Sequence, residues 1–449
     1  MTLLCIWLAK LIIWTSRKLG HSGTNAAGKI VVRLYPRILT YLAAQVKKDI
    51  FIVCGTNGKT SVNNLICEVL TKTGGAVVCN NLGANMIEGV IVAFIDKCSL
   101  SGKLGADFAT FEVDEGYVGR VLEYFKPSYI VLCNLFHDQL DRYGDALTTA
   151  DMLERAFLRS PETKLILNGD DPNCVQFSKK LPNKCIFFGI DQDLNDGNEA
   201  KNVFCRFCGG MLKYEFFHYS QLGKFKCSSC DFARPALDCA AADVSFDNGV
   251  SFSVGGSRIE TTLRGVYNVY NTLAVYTAVS CCGMDTRDFS AIVNGYKTMP
   301  GRMEEFHIGG KKLILNLAKN PAGFNQAINA VTRDARGKDV ILAINNTIAD
   351  GQDTSWLWDV DFSLLRENTR LIQTHGSRMY DTLLRLKYSG FPDETITAAP
   401  SMAAALETAL AGGSEIIYVL ANYSALYMIR PAIVSKSEER GVRNEELPR

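Results

Sequence analysis

The stretch Ile50–Ser61, IFIVCGTNGKTS, constrains this chain more than any other. An apolar β-type run, Ile50 to Val53, feeds a turn holding Gly55, Asn57 and Gly58. That turn opens onto Lys59, Thr60 and Ser61 at the start of a helix-compatible segment. Strand, glycine-rich turn and Lys-Thr at a helix start make a nucleotide phosphate cradle. The glycines let backbone N–H groups approach the phosphates, and the helix N-terminus adds partial positive charge. In this reading Gly55, Thr56, Asn57, Gly58, Lys59, Thr60 and Ser61 bind the nucleotide. Lys59 reaches the terminal phosphates and the Thr60 hydroxyl ligates Mg2+. The loop is shortened, because the GxxxxGK[ST] pattern wants its first glycine where Val53 stands. Taken alone, the stretch also admits an ordinary strand-turn-helix with incidental Gly and Lys.

The surroundings argue for the cradle. Apolar runs at Phe108–Val113, Tyr129–Cys133, Leu165–Asn168 and Cys185–Gly189 alternate with helical patterns at Thr60–Thr73, Gly116–Tyr124 and Ala150–Leu158. Strands apolar throughout and separated by helices predict an α/β fold with a parallel sheet covered on both faces. Ligands of such sheets bind beyond the carboxyl ends of the strands. The phosphate turn, Glu112, Asn134 and Asn168-Gly169-Asp170-Asp171 all fall there. Asp114 and Glu115 read either as solvated loop charges or as members of the site.

Past Asp191 the pattern changes. Cys205-Arg206-Phe207-Cys208 and Cys227-Ser228-Ser229-Cys230 are two CxxC knuckles, each offering two thiolates at a spacing suited to tetrahedral Zn2+, with a short hairpin between them. A closed four-cysteine zinc ribbon is structural; two disulfides or a redox pair are the rival readings. The remaining cysteines sit mostly singly in apolar runs and read as small buried hydrophobes of a reducing compartment. Formal net charge is +1, so no global field favours nucleic acid, and no dense basic–aromatic patch accompanies the ribbon.

After the ribbon, Val244–Val254 and Arg258–Leu263 read as sheet edges, and Asn268 and Asn271 precede a helix over Thr272–Cys282. Either Asn can bond a purine edge; an N-cap role for Asn268 is the alternative. Met299-Pro300-Gly301-Arg302 marks a boundary, and from Lys311 a second α/β pattern begins, with strands over Lys312–Leu317, Val340–Ile344, Leu371–Thr374 and Ile416–Leu420. The expected domains are a helical segment over 1–48, an ATP-binding domain over 49–300 with the ribbon inserted at about 202–235, and a Rossmann-like α/β domain over 301–449. From Lys436 on, the charged end reads as a loose tail. At the other end Leu3–Trp14 is apolar but too short to span a bilayer. It reads as an amphipathic helix docked on the protein or as one lying on a membrane surface.

In order, Gly55–Thr60, Glu112-Val113, Asn134 through Asp138 to Asp141, Asn168–Asp171, Tyr267-Asn268 with Asn271, and Gly301-Arg302 resemble the central domain of the Mur ligase family. The ribbon together with Asp350-Gly351-Gln352-Asp353-Thr354-Ser355-Trp356 closely resembles the MurT branch, the synthetase subunits of lipid II isoglutaminyl synthases. That resemblance implies ATP-dependent activation of a substrate carboxylate as an acyl phosphate, then displacement by an amine. It implies Lys59 on phosphate oxygens, Thr60 and Glu112 on Mg2+, Asn268 and Asn271 near adenine, and Arg302 near the phosphates or ribose. Within the branch the substrate is lipid II, the α-carboxyl of its D-glutamate is amidated, and the enzyme is a cytoplasmic heterodimer working at the inner membrane face.

Departures from the standard Mur pattern point to the nucleophile. The DHxD histidine is Gln139, Met152–Ser160 holds no lysine to carbamylate, and the DYAHNP-like element appears as Asn316-Leu317-Ala318-Lys319-Asn320-Pro321. A second-metal site and an amino-acid pocket are thereby both weakened, which fits ammonia and disfavours a stand-alone Mur or folylpolyglutamate-type amino-acid ligase. No cysteine has the G-x-C-x-G context of a glutaminase nucleophile. If glutamine is the donor, a separate glutaminase subunit is therefore required; the resemblance implies that it is GatD-type and that Asp353 completes its Cys–His triad. Asp353 also suits a helix N-cap, and Asp350, Asp359 and Asp361 are rival carboxylates. Trp356 and Trp358 read as interface or core anchors.

Overall fold

The phosphate turn lies at the carboxyl edge of a nine-stranded sheet, and the reason is visible in its strands. In the computed structural model, which describes residues 2–18, 24–80, 84–136, 146–194, 203–247, 249–296 and 299–439, β1 (Ile50–Cys54) is buried at every position. It pairs in parallel with β3 (Phe108–Glu112) on one side and β4 (Tyr129–Leu132) on the other. β2 (Val77–Cys79), β5 (Lys164–Asn168) and β6 (Cys185–Ile190) extend the parallel set. Strands apolar on both faces need cover on both faces. Helices α4 (Lys59–Lys72), α5 (Ile87–Lys97), α6 (Glu115–Val121) and α7 (Ala146–Phe157) follow successive strands, as the connections between parallel strands require.

Beyond β6 the sheet order continues as β6-β9-β10-β11, where β9 is Cys239–Ser245, β10 Val250–Val254 and β11 Ser257–Thr261. β9 runs parallel to β6, whereas β10 and β11 are antiparallel additions. The single edge expected over Val244–Val254 is thus two strands, broken by the turn before Val250. The crossover from β6 to β9 carries a separate two-stranded hairpin, β7 (Leu212–Tyr219) with β8 (Leu222–Cys227).

Helix α8 (Val266–Cys281) starts six residues before the expected Thr272, with Gly265 as its N-cap. The Asn and Tyr residues of its first turns are mediocre helix formers, so propensity hides the start, but burial along nearly the whole helix outweighs that bias. Asn268 is accordingly an interior helical residue and not a cap.

At the chain start, α1 (Thr2–Lys18), α2 (Thr24–Leu34) and α3 (Ile38–Ala43) bury Ile6, Ile13, Val31, Ile38 and Leu42 in the same core as α5 and the parallel strands. Among the described residues no helix is long and apolar enough to cross a membrane.

The chain divides into two compact units, the first formed by Met1–Phe136 and Ala146–Lys297, the second spanning Thr298–Arg449. The second has a six-stranded sheet of order β12-β13-β17-β14-β15-β16. Its members are β12 (Glu304–Ile308), β13 (Lys311–Leu317), β14 (Lys338–Ala343), β15 (Thr369–His375), β16 (Ile396–Ala398) and β17 (Ile416–Ala421). All pair in parallel except β12, which forms a hairpin with β13 ahead of the expected start at Lys311. The terminal helix α9 (Tyr423–Glu439) carries helical structure past Lys436, where a tail was expected.

Candidate functional site

The turn after β1 has the backbone the cradle requires. Gly55 and Gly58 hold φ of 121° and 89°, which L side chains rarely adopt. Space excludes side chains as well: a Cβ on Gly55 would stand 2.7 Å from the Asn134 carbonyl oxygen, and one on Gly58 would run into Asn271 Oδ1. The turn is stitched to the end of β4. Asn57 N–H donates to Asn134 Oδ1 (2.9 Å), Asn134 Nδ2 donates to Asn57 O (3.0 Å), and Thr56 N–H donates to Asn134 O (3.0 Å). Thr56 Oγ1 accepts from Phe136 N–H at 2.9 Å. Asn134 thereby fixes the loop's path, a role its position at a strand end only hinted at.

Lys59 and Thr60 begin α4, with Gly58 as the left-handed N-cap. The Lys59 ammonium is buried and folded back over its own loop, donating to Gly55 O (2.5 Å), Thr56 O (3.4 Å) and Glu115 Oε1 (3.0 Å). Glu115 Oε1 also accepts from Gly55 N–H at 2.7 Å. The reading of Asp114 and Glu115 as solvated charges is therefore corrected. Both are buried; Asp114 caps α6 through Gly116 N–H, and Glu115 is the counter-ion of the loop lysine. Sequence gave no sign of this pairing because it joins residues 56 apart.

Glu112 ends β3 with its side chain buried and its Oε2 without any hydrogen-bond partner. A buried carboxylate oxygen left bare is costly, and a hard divalent cation is the usual remedy. The residues present thus fit Mg2+. Thr60 and Ser61 are half-buried at the helix start. Asn268 and Asn271 meet in α8, Asn271 Nδ2 donating to Asn268 Oδ1 (3.1 Å) and Asn268 Nδ2 to Arg264 O (2.8 Å). Asn271 also abuts Gly58, so these members of the expected set do come together. Asp138, Gln139 and Asp141 lie outside the described residues. Arg302 and Asp353 belong to the second unit.

The four cysteines Cys205, Cys208, Cys227 and Cys230 converge, all sulfurs within 4.8 Å of one another. Separations of 3.6 Å for Cys205–Cys230 and 3.4 Å for Cys208–Cys227 are far beyond a disulfide bond and near the tetrahedron edge of about 3.8 Å that Zn–S bonds impose. Backbone N–H groups of Phe207, Gly210 and Ser229 donate to sulfur, as two knuckles should. The rival disulfide reading does not fit.

The far end of the hairpin plugs into the sheet's carboxyl edge. Gln221 Nε2 donates to Leu135 O (2.8 Å) and to Asp171 Oδ1 (3.0 Å). His218 Nδ1 and the Tyr270 hydroxyl lie 2.6 Å apart, and that hydroxyl donates to Asp170 Oδ2 at 2.8 Å. Asp170 also accepts from Arg234 Nε at 2.6 Å. Burial pushes the Asp171 carboxyl up to about 6, against the N–H groups of Leu135 and Asn173 and the Gln221 amide that favour its ionised form.

In the second unit, Asp353 is half-buried and accepts from Ser355 N–H (2.8 Å) and Ser355 Oγ (2.9 Å) at the head of the 3-10 turn Ser355–Asp359. Asp350 is a buried brace for Thr347 and Ser424. Asp361 accepts from the Ser363 hydroxyl, and Asp359 is exposed. Trp356 packs on Phe324 within the core (5.2 Å between ring centres), while Trp358 is exposed beside Tyr388 and Arg385. Asn320 caps the following helix through Gly323 N–H.

Residues 53–279 match the Mur ligase middle domain, and residues 317–426 match the MurT ligase C-terminal family. The chain is 33% identical over 94% of its length to the lipid II isoglutaminyl synthase (glutamine-hydrolyzing) subunit MurT of Streptococcus pneumoniae, covering 95% of that protein. The chain belongs to the MurT family. The Staphylococcus aureus (strain COL) MurT subunit is also 33% identical, over 85% of this chain and 86% of its own. Solved structures share the Mur ligase fold. A pseudomurein peptide ligase type C from Methanothermus fervidus superposes with a TM-score of 0.70 at 22% identity, covering 88% of this chain and 80% of that one. MurF from Thermotoga maritima in complex with ADP gives 0.65 at 12%, covering 93% and 86%. MurT relatives are named as subunits, and this MurT-family chain is the Mur ligase-type one.

Proposed function

We propose that this MurT-family chain is the ATP-dependent synthetase subunit of a lipid II isoglutaminyl synthase in peptidoglycan synthesis, paired with a GatD-type glutaminase as a heterodimer. The observation that carries this reading is the near full-length likeness to curated MurT subunits of that enzyme. The α-carboxylate of D-glutamate in the lipid II stem peptide attacks the γ-phosphorus of ATP, and ADP leaves with the bridging oxygen. Ammonia then attacks the acyl carbon, loses a proton and expels inorganic phosphate, leaving D-isoglutamine.

The chain's own groups supply positioning and charge. Backbone N–H groups of Gly58–Ser61 would cradle the phosphates while Gly55, Thr56 and Asn57 shape the loop through their bonds to Glu115 and Asn134, and Lys59 exchanges Glu115 for the γ-phosphate oxygens as they gain charge. Thr60 and Glu112 would hold Mg2+, which when bound neutralises the phosphates; the bare Glu112 Oε2 supports that assignment. In this reading Asn268 and Asn271 would contact adenine, and Arg302 would serve the phosphates or ribose, as in the Mur pattern the chain resembles. The cysteine cluster holds Zn2+ as a closed structural site. Asp353 orients the glutaminase histidine, and the lipid anchor of the substrate places the cytoplasmic complex at the inner membrane face. No nucleic acid is involved.

The unactivated thiols at the sheet's carboxyl edge fit a separate glutaminase. At the sheet's carboxyl edge Cys54 and Cys174 are pushed well above the usual thiol range by burial, and Cys133 up to about 12. None of these is a ready thiolate. The test is co-expression with the neighbouring glutaminase, then mass spectrometry of lipid II after incubation with ATP and glutamine. One amide per ADP formed is expected. Incorporation of an amino acid by the chain alone would instead establish a stand-alone ligase.

A further inference from the structure

We infer that α1, with the adjoining edge of α2, is a membrane-docking surface that lies flat in the interface of an anionic bilayer. The starting observation is a helix that is apolar all round. One side of α1 is core: Cys5, Ile6, Ala9 and Ile13 are buried against the first unit. The other side should be polar in a helix that merely packs on a globular protein. Instead Leu4, Trp7, Leu11 and Trp14, spaced three, four and three residues apart, form one outward stripe, at 63%, 51%, 57% and 54% exposure. Leu3 and Leu8 flank it, and Leu100 stands beside it, accepting from Trp7 Nε1 through its carbonyl at 2.7 Å. Contiguous exposed apolar surface of this kind marks an interaction site.

Charge selects the occupant. Residues 1–48 hold eight Lys or Arg and no Asp or Glu, in a chain whose net charge is only +1. Lys18 stands over the Trp14 ring at 4.1 Å, and Lys29 and Arg33 are exposed on α2 beside the exposed Ile30 and Leu34. A polar rim of cations around Trp and Leu is the composition of helices that sink into the headgroup layer while their charges meet anionic lipid. Tryptophan in particular prefers that depth, with an apolar body and a donor N–H. A protein partner of matched acidic charge would need its own apolar groove; a bilayer supplies both properties along the full length of the stripe. One flank of α1 is seated in the protein core along its length, and no described helix is long and apolar enough to cross a membrane, so it lies in the plane. The inference rests on the proposed function for its use: a substrate held at the bilayer surface is reached from a subunit held there too.

The test uses the full chain and vesicles of phosphatidylglycerol with phosphatidylethanolamine, against vesicles of phosphatidylcholine alone. Co-sedimentation with the anionic vesicles and a blue shift of tryptophan emission are expected. Leu11→Glu with Trp14→Glu should lower the partition coefficient at least about tenfold with unchanged circular dichroism. Lys29→Glu with Arg33→Glu should remove the anionic preference while leaving residual binding. Absence of sedimentation with either vesicle overturns the inference, as does equal binding by the Leu11/Trp14 variant. Self-association that this variant abolishes, without lipid binding, would make the stripe an interface between copies. Amidation of a water-soluble stem-peptide substrate by the complex separates the two readings. If it proceeds equally in wild type and variant while vesicles are ignored, only the docking surface falls. If vesicles are bound and no amide forms, only the proposed function falls.

Discussion

Glu115 Oε1 stands 3.0 Å from Lys59 Nζ and 2.7 Å from Gly55 N, so one carboxylate oxygen holds both the lysine and the first glycine of the phosphate loop. Both side chains are buried. The loop is preformed, and its lysine is neutralised until phosphate arrives.

Removing one partner of a buried pair leaves the other charge uncompensated, at about 3–5 kcal/mol. Glu115→Ala should therefore lower unfolding stability by about that amount, and Glu115→Gln, which keeps an acceptor for Gly55 N–H, by less. Added Mg2+-ATP should restore more stability to Glu115→Ala than to wild type, since it provides a new counter-charge for Lys59. Calorimetric Tm with and without nucleotide measures this. Lys59→Ala should abolish amidation even with ammonium supplied.

Asp353→Asn separates the two half-reactions. Glutamine-dependent amidation should fall by at least about a hundredfold, on the scale of a triad orienter's loss, while free ammonium still yields product. Equal loss with both nitrogen sources would assign Asp353 to local structure, through its bonds to Ser355.

Asp171 should leave a signature in the acid limb of stability. Its folded carboxyl titrates at about 6, above the ordinary 3.8. A raised acid pKa means that the native state holds the proton more tightly than the unfolded chain, so this group disfavours folding above pH 6. Between pH 6 and pH 4 it returns about 3 kcal/mol to stability as it protonates. In Asp171→Asn that gain vanishes, and the fall of stability on acidification from pH 6 to 4 should be steeper than in wild type. Urea titrations at the two pH values measure it.

Cys205→Ser should release Zn2+ and lower Tm, with binding of metal read by a chromogenic chelator. ATP affinity should weaken in the same variant. The hairpin touches the nucleotide edge through Gln221 on Leu135 O and Tyr219 against Phe136, whose N–H holds Thr56. Unchanged ATP affinity in the zinc-free protein would show the hairpin tip to stay seated without its metal.

The parallel strands are readable because local sequence decides them: β1 begins where its apolar run does and ends one residue beyond it. The cysteine cluster was readable for the same reason, since spacing within a knuckle is local. Long-range partners were not. Glu115 reads from sequence either as a loop carboxylate or as a member of the site, and only α6, by turning it under the phosphate loop, decides between them; nothing in Gln221 or His218 announces a link to Asp171 or Tyr270. Helix α8 was misplaced at its start because two Asn and a Gly argue for a cap while burial argues for a helix. β12 was missed because Glu304–Ile308 alternates only briefly and gains its pairing from β13. Trp356 and Trp358 share a motif but face opposite environments, a distinction set by packing on Phe324.

The hairpin sits inside the connection between two parallel neighbours, β6 and β9. Parallel pairing needs a long excursion, and its loop entropy is charged before the contact is made. A hairpin whose tip binds the sheet edge shortens that excursion to a rigid detour and brings Cys239 back beside Phe188. β9, β10, β11 and α8, with Asn268 and Asn271, all follow the hairpin in the chain, so their return to the sheet starts from where its tip is seated.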